Sequence, residues 1–176
     1  MPDAPIYTET QRLHQNAIVR YVVPISCLFS VGLAAAITLS QGSPGTDLAL
    51  ILAIGLGVPL GLSMLAMHTT VTERSLCVRT LVAFTKTIDV DQIFDAQAIR
   101  YNPLADCGGW GGPRRSRKYG VVYNMAGDHG VLVHYHDAGR ERSMLIGSRR
   151  GEELERAIRV AANLSKVGSA HDSPPA

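Results

Sequence analysis

The chain has 176 residues, enough for one modest domain, with 46% hydrophobic residues and a formal net charge of only +2. A charge this small gives no reason to expect nucleic-acid binding, which needs a concentrated basic surface. The three cysteines are odd in number and far apart in sequence, so free thiols are expected rather than a disulfide framework or a CxxC metal site.

Residues 1–21 precede the first long apolar run. Thr8 and Gln11 have the spacing of a capping box, and apolar residues then recur at every fourth position. This pattern predicts a cytoplasmic segment with an interfacial helix over residues 9–21 that leads into the membrane. A polar tail with chance periodicity is the alternative.

Two long uncharged runs follow, over residues 22–39 and 48–67. Both match the roughly 20 residues that a helix needs to cross the hydrocarbon core. Two buried helices of a soluble core are the alternative, but a domain of this size rarely hides two such runs. The link between the runs, SQGSPGTD, is short and rich in turn residues. The sequence therefore predicts two transmembrane helices joined as a tight hairpin.

Basic residues near the two runs lie on the terminal side of each, and the link has none. They are Arg12, Arg20, Arg74, Arg79 and Lys86. Cytoplasmic flanks carry the excess of Lys and Arg in membrane proteins. We therefore expect a multi-pass protein of the cell inner (plasma) membrane with both termini in the cytoplasm. A cleaved signal peptide is not expected, because the first run is long, begins late and lacks a clear cleavage pattern.

Residues 68–166 have a different texture, with short alternating runs separated by turn residues about every ten positions. The pattern predicts antiparallel strands over residues 69–72, 76–81, 84–90, 96–101, 119–125, 130–136 and 142–146. Residues 152–166 then carry apolar side chains on one helical face, so an amphipathic helix should lie over an edge or mouth of the sheet. Residues 167–176 are expected to be disordered.

Seven short strands followed by one helix is the order of a pleckstrin-homology-like (PH-like) barrel, although order alone leaves small sandwiches open. The stretches IRYNPLADCGGWG, YNMAGDHGV and LIGSRRGEEL, with the TETQ approach and the two-span hairpin, resemble bacterial PH-like domains of membrane proteins. The resemblance covers most of the chain. It implies a cytoplasmic seven-stranded antiparallel PH-like barrel with a C-terminal helix, mounted on an N-terminal hairpin. It implies little about activity, since these membrane proteins are largely uncharacterised.

The stretch YNPLADCGGWGGPRRSRKYG is expected to be a loop between two strands. It lacks the GK[ST] ending of a P-loop and precedes a predicted strand, so phosphate binding is not expected. Its basic run is suited to an anionic leaflet, where each cationic residue contributes about 1 kcal/mol, and indole rings are enriched at headgroup level. The candidate lipid- or partner-contact residues are Trp110, Arg114, Arg115, Arg117 and Lys118. A solvated loop with Trp110 packed against the barrel is the alternative.

Two further groups have weaker chemical patterns. His134 and His136 lie two apart on a predicted strand and therefore on one face, a spacing that can chelate a metal. Cys107 has cationic neighbours that can lower a thiol pKa, with His129 as its candidate base. Neither pattern has the third ligand or the demonstrated partner that such chemistry needs. We therefore expect no catalytic residue, no metal and no cofactor.

The sequence thus predicts a non-enzymatic integral membrane protein whose cytoplasmic PH-like domain is a binding or scaffolding module. The expected partners are the lipid bilayer and either anionic lipid headgroups or a membrane protein, and not nucleic acid. The alternative is a structural subunit of a membrane transport or envelope complex. A third hypothesis is an enzyme that uses Cys107 or a metal at His134 and His136.

Overall fold

A computed structural model describes residues 4–41, 46–80 and 84–163. The strands are β1 (Tyr7–Arg12), β2 (Ala66–Val71), β3 (Ser75–Thr80), β4 (Thr85–Asp89), β5 (Ile93–Arg100), β6 (Gly112–Ser116), β7 (Gly120–Asn124), β8 (His129–Asp137) and β9 (Arg140–Gly147). The α-helices are α1 (Ala17–Gln41), α2 (Thr46–Ser63), α3 (Pro103–Cys107) and α4 (Gly151–Ala161).

The strands form two sheets that enclose one main core. The first sheet has the order β1-β2-β3-β4, and the second has the order β5-β8-β9-β7-β6. The expected antiparallel arrangement is wrong at one pair, because β7 and β9 run parallel. The β9 strand lies between β8 and β7, and both β7 and β9 run opposite to β8. The other paired strands run antiparallel. Side chains from both sheets and from α4 fill the core. Its fully buried members include Met67, Leu76, Ile88, Met144, Ile146, Leu154 and Ile158.

The α4 helix packs against β5 and β8, where β5 is an edge strand of the second sheet. The Glu155 carboxylate on α4 accepts a hydrogen bond from the backbone N–H of Ala98 on β5 at 3.0 Å. The helix therefore satisfies part of an open sheet edge, as its amphipathic pattern predicted. Its described part ends at Ala161, and the rest of the predicted helix beyond residue 163 and the tail 167–176 lie outside the described residues.

The α1 and α2 helices lie side by side as an antiparallel pair. The contact is close at Gly55, where an added Cβ would lie 2.4 Å from the Cβ of Ser30. Within the described ranges, the segment Val19–Ser40 is long and apolar enough by length and composition to cross a membrane, with a mean hydropathy of 2.2. Only 11% of its apolar window is buried, so this segment is not a helix of the domain core.

The second apolar run is shorter as a helix than predicted. Its apolar helical part is Ala49–Gly61, and α2 ends at Ser63 rather than at residue 67. We call the two sheets with α3 and α4 the β-domain. Ala66 and Met67 belong to its strand β2 instead, and Met67 is fully buried in its core. These residues are apolar because they pack between sheets, which composition alone does not separate from lipid exposure.

The predicted N-terminal helix over residues 9–21 is wrong in its first half. Residues 7–12 form β1, which pairs with β2 from Tyr7 opposite Val71 to Arg12 opposite Ala66. Burial alternates along β1, but its inward-facing residues include the polar Glu9 and Gln11. The sequence therefore shows no alternation of apolar and polar residues that would indicate a strand. The β-domain therefore contains residues from both sides of the helical pair, and does not begin at residue 68.

The number of strands also needs correction, from seven to nine within the described residues. Each of the seven predicted strands overlaps an observed one. The two additional strands are β1 and β6, and each lies at an edge of its sheet. Both are short and polar, so neither has the apolar alternation by which a strand is recognised.

Candidate functional site

The stretch expected to be a loop after residue 101 folds into α3, a glycine-rich turn and β6. The side-chain oxygen of Asn102 caps α3 by accepting hydrogen bonds from the backbone N–H groups of Leu104 and Ala105, both at 3.1 Å. Gly108 ends the helix in the left-handed region, at a φ of 71°, where glycine has no Cβ to clash. The strand β6 then becomes the outermost strand of the second sheet.

Trp110 fastens this turn to the domain. Its indole N–H donates to the carbonyl of Gly127 at 2.9 Å, and its ring packs against the main core. The side chain is therefore held within the domain, in the arrangement that the alternative hypothesis described.

Arg114 has an exposed side chain that nonetheless closes the same turn. Its guanidinium donates one hydrogen bond to the carbonyl of Gly108 and a second, at 3.0 Å, to the carbonyl of Trp110. The planar fork of arginine suits two such acceptors. We call the segment Gly108–Gly112, with the side chains of Trp110 and Arg114, the Trp110 turn.

The other basic residues of this stretch lie at the end of β6 and in the turn to β7. Arg115, Arg117 and Lys118 are exposed, and the Lys118 ammonium lies 4.8 Å from the ring centroid of Tyr119. Charged side chains and proline at a sheet edge discourage pairing with another chain, and β6 also carries Pro113. Protection of this edge therefore accounts for the composition of β6 without a ligand.

The turn between β6 and β7 is separate from the place where the β-domain joins the helical pair. The carbonyl of Gly147, at the end of β9, accepts a hydrogen bond from the Gln11 side chain on β1. Gly120, at the start of β7, instead lies beside Ser143 on β9. Four residues along β9 and one strand spacing give a separation of roughly 15 Å between Gly147 and Gly120. The turn at the end of the basic run therefore lies at the other end of β9 from the contact with Gln11.

Cys107 lies in a small buried cluster with Tyr101 and Tyr119 on the outer face of the second sheet. Burial, with a smaller contribution from the Asp106 carboxylate, raises the pKa of its thiol above the usual value. A nucleophilic cysteine needs the opposite shift. The predicted base, His129, is hydrogen-bonded through Nδ1 to the Asp128 carboxylate at 2.8 Å.

His134 and His136 share one face of β8, as their spacing predicted. They flank the ring of Phe94, with centroid separations of 6.0 and 4.7 Å. Within the described ranges, no group of three or more His, Cys, Asp or Glu side chains is arranged to hold a metal ion.

A buried polar cluster that the sequence patterns did not reveal lies between β1 and the start of α4. The Glu9 carboxylate accepts hydrogen bonds from the hydroxyls of Tyr7 and Ser148 through Oε2, both at 2.6 Å. Its Oε1 accepts from the backbone N–H of Arg149 at 3.0 Å and from the Gln11 amide at 3.2 Å. We call these five residues the Glu9 junction.

The hydrogen bonds of the Glu9 junction determine its charge state. Burial acts to raise the pKa of Glu9, but the bonds from Ser148, Tyr7, Arg149 and Gln11 outweigh it, so the pKa lies below its usual value. Burial, followed by the bond to Glu9, raises the pKa of Tyr7 to about 12. At neutral pH a carboxylate is therefore surrounded by neutral donors that fill its acceptor positions.

The Glu9 junction joins segments that are about 140 residues apart in sequence. One is the TETQ segment on β1, and the other is the GSRRG segment between β9 and α4. Arg150 extends the contact to the surface, because its guanidinium donates to the carbonyl of Thr8 at 3.1 Å and lies 5.0 Å from the Tyr7 ring centroid. The arrangement holds these two distant segments together.

A groove of about 460 Å³, which we call the base groove, lies where α1 leaves the β-domain. Its lining includes Gln15, Val19, Arg20, Val23, Pro24 and Arg149. The α1 helix supplies the apolar side chains and one arginine, and the connection from β9 to α4 supplies the other arginine. The Arg20 and Arg149 side chains are exposed.

A second groove, of about 430 Å³, lies at the start of α4. Its arginines include Arg100, which pairs with Asp128 at 2.7 Å, and Arg150, which pairs with Glu153 at 3.1 Å. Arg149 lines both grooves. The base groove differs in that its other arginine, Arg20, lies beside apolar side chains of α1.

Comparisons of this chain with protein-family models, with curated proteins and with solved structures gave no match. A function for the chain therefore rests on its own geometry and chemistry.

Proposed function

We propose that this chain is an integral membrane protein whose rigidly mounted β-domain is a non-enzymatic binding module for anionic lipid. The observation that carries the proposal is the position of the helical pair between β1 and β2, two strands that pair over six residues. A domain on a single linker is free to turn. Here the chain enters and leaves the helices through neighbouring strands, so one surface of the domain stays toward the bilayer.

Both helices, in this proposal, cross the plasma membrane and both termini are cytoplasmic. The 18 residues of α2 rise by about 27 Å, close to the roughly 30 Å of a hydrocarbon core. The basic residues near the helices lie on the β-domain side. Cleavage of α1 as a signal sequence would detach β1 from its sheet and remove Glu9 from its junction. Retention of both helices is therefore the arrangement that keeps the domain intact.

We also propose that the β-domain is a PH-like barrel with two added strands. Its support is the pair of packed sheets closed by α4, which covers the β5 edge. The additional strands β1 and β6 both lie at sheet edges. Without them seven strands remain, the number that the sequence resemblance implies, and they differ from its antiparallel order in the parallel pair β7 and β9.

Membrane integration is tested with the full-length protein in bacterial membranes. After extraction with alkaline carbonate and flotation, we expect the protein to stay with the lipid fraction. Release into the supernatant would contradict an integral protein.

The orientation of the protein is tested with Arg115→Cys in a background without the native cysteines, which is treated with a membrane-impermeant maleimide. Labelling should require lysis, and equal labelling of intact cells would contradict a cytoplasmic domain.

Lipid binding is tested with the full-length wild-type protein in nanodiscs of phosphatidylcholine, with or without phosphatidylglycerol. Preferential binding to the native state raises the unfolding midpoint. We expect a higher midpoint with phosphatidylglycerol, and a difference that shrinks as salt is added, since exposed charges are screened within about 10 Å at 0.1 M salt. Equal midpoints in both lipids would count against the proposed ligand class.

A further inference from the structure

We propose that the base groove binds the headgroup phosphate of one anionic phospholipid between Arg20 and Arg149. The inference rests on the proposed membrane integration and assigns the lipid contact to a surface other than the Arg114–Lys118 run.

The two arginines of the base groove have cationic groups available for a ligand. Among the described residues, neither guanidinium forms an ion pair or a side-chain hydrogen bond. Arg114 and Arg159, by contrast, bind acceptors within the chain. A phosphate oxygen pair suits the planar, bidentate donors of arginine.

The backbone at both arginines is fixed by the fold. The N–H of Arg149 donates to Glu9 at 3.0 Å, and the N–H of Arg20 donates to the carbonyl of Asn16 at 2.9 Å. The Glu9 junction therefore positions Arg149 next to the beginning of α1. Two cations from distant parts of the sequence are brought to one groove before a ligand arrives, which lowers the entropic cost of binding.

The apolar side chains of the groove select a lipid rather than a free anion. Val19, Val23 and Pro24 lie beside Arg20 and belong to the first turns of the membrane-crossing segment. A charged residue at this end of a span lies at headgroup level. An occupant must then be anionic next to the arginines and apolar along α1, which describes a phospholipid with its acyl chain along the helix.

Native mass spectrometry of the full-length protein in mild detergent tests the site. The probes are dioleoyl-phosphatidylglycerol and dioleoyl-phosphatidylcholine, which have the same acyl chains. We expect the wild-type protein to retain one phosphatidylglycerol. The double variant Arg20→Gln/Arg149→Gln should bind it at least about tenfold more weakly, since each cation near an anionic headgroup contributes a severalfold gain in affinity.

The matched control is Arg115→Gln/Arg117→Gln, which removes two exposed charges from the β6–β7 turn. It should bind phosphatidylglycerol as the wild-type protein does. The single variant Arg149→Gln lies outside the span and should give an intermediate, about fivefold loss, so the test remains decisive should the double variant fail to fold.

Four outcomes would overturn the inference: equal retention of the two lipids, unchanged binding by the double variant, equal weakening by the control, or displacement of the lipid by millimolar inorganic phosphate. The last result would assign the groove to a free anion. If any of these four outcomes occurs while the protein is fully retained in carbonate-washed membranes, only the lipid site in the base groove is rejected. Release from those membranes rejects the proposed function.

Discussion

The Glu9 junction and the Trp110 turn both fasten a segment to the β-domain through side-chain hydrogen bonds, but they differ in burial. Glu9 is 7% exposed, and its carboxylate has four donors from within the chain. Arg114 in the turn is exposed, and its two acceptors are backbone carbonyls. Water can replace a lost partner in the turn but not in the junction. We therefore expect burial, more than the number of bonds, to set the cost of losing each contact.

The two features also differ in what they hold. The Glu9 junction fixes the strand that leads into α1, and therefore controls how the helical pair is mounted. The Trp110 turn fixes the approach to an edge strand. Loss of the junction should affect the whole protein, whereas loss of the turn should remain local.

The largest expected effect is that of Glu9→Gln. An amide nitrogen does not accept hydrogen bonds, so about half of the four buried donors lose their acceptor. We expect a loss of about 3 kcal/mol, which is a decrease of about 6–12 °C in the unfolding midpoint. The fluorescence of Trp110, the single tryptophan of the chain, reports unfolding of the β-domain in detergent.

Thr8→Ala is the matched control for Glu9→Gln, because Thr8 lies on β1 with its side chain exposed. Its midpoint should stay within about 1–2 °C of the wild-type value. A shift of Glu9→Gln no larger than that of Thr8→Ala would show that the junction does not stabilise the fold.

The advantage of the wild-type protein over Glu9→Gln should depend on pH. The fold lowers the pKa of Glu9, so its contribution is present above the usual value of 4.5 and is lost as the pH falls through the lowered pKa. We expect the difference in unfolding midpoint to be constant between pH 6 and 8 and to narrow below about pH 4.5. A difference that stays constant down to pH 3, or widens, would contradict the assignment. Other acidic groups are common to both proteins.

Sequence periodicity located the apolar elements well and the polar ones poorly. Each of the seven predicted strands overlaps an observed strand, because apolar residues on their inward faces alternate with polar ones. In β1 the inward face is Tyr7, Glu9 and Gln11, and the partners that make burial of these polar groups favourable lie near residue 148. A contact over this sequence distance leaves no local pattern.

Lipid or partner contact by the basic run stays a prediction. Its composition did not show that Pro113 and Arg115 lie on an edge strand or that Arg114 binds the turn. The base groove combines Arg20 and Arg149, which are ordinary in their local sequence. Only the pairing of β1 with β2, and the junction between β1 and the residues after β9, bring them together.

The next largest effect should be that of Trp110→Ala. Removal of the indole exposes part of the core that the ring covers and leaves the carbonyl of Gly127 without its donor. Because the ring is only partly buried, we expect a loss of about 2 kcal/mol rather than the roughly 3–5 kcal/mol of a fully buried aromatic residue. Trp110→Phe keeps most of the packing and should lose about 1 kcal/mol. Circular dichroism measures both midpoints, and equal losses would show that the ring contributes no packing energy.

The smallest expected effect is the difference in stability loss between substitutions of two neighbouring arginines. Arg114→Gln removes the donors to the carbonyls of Gly108 and Trp110, and we expect a loss of about 0.5–1 kcal/mol because water reaches these carbonyls. Arg115→Gln removes an exposed charge on the same strand and should change stability by less than about 0.5 kcal/mol. The unfolding midpoints of the two variants, measured in parallel, test this difference. A larger loss for Arg115→Gln would mean that the edge strand, and not the Trp110 turn, depends on its arginines.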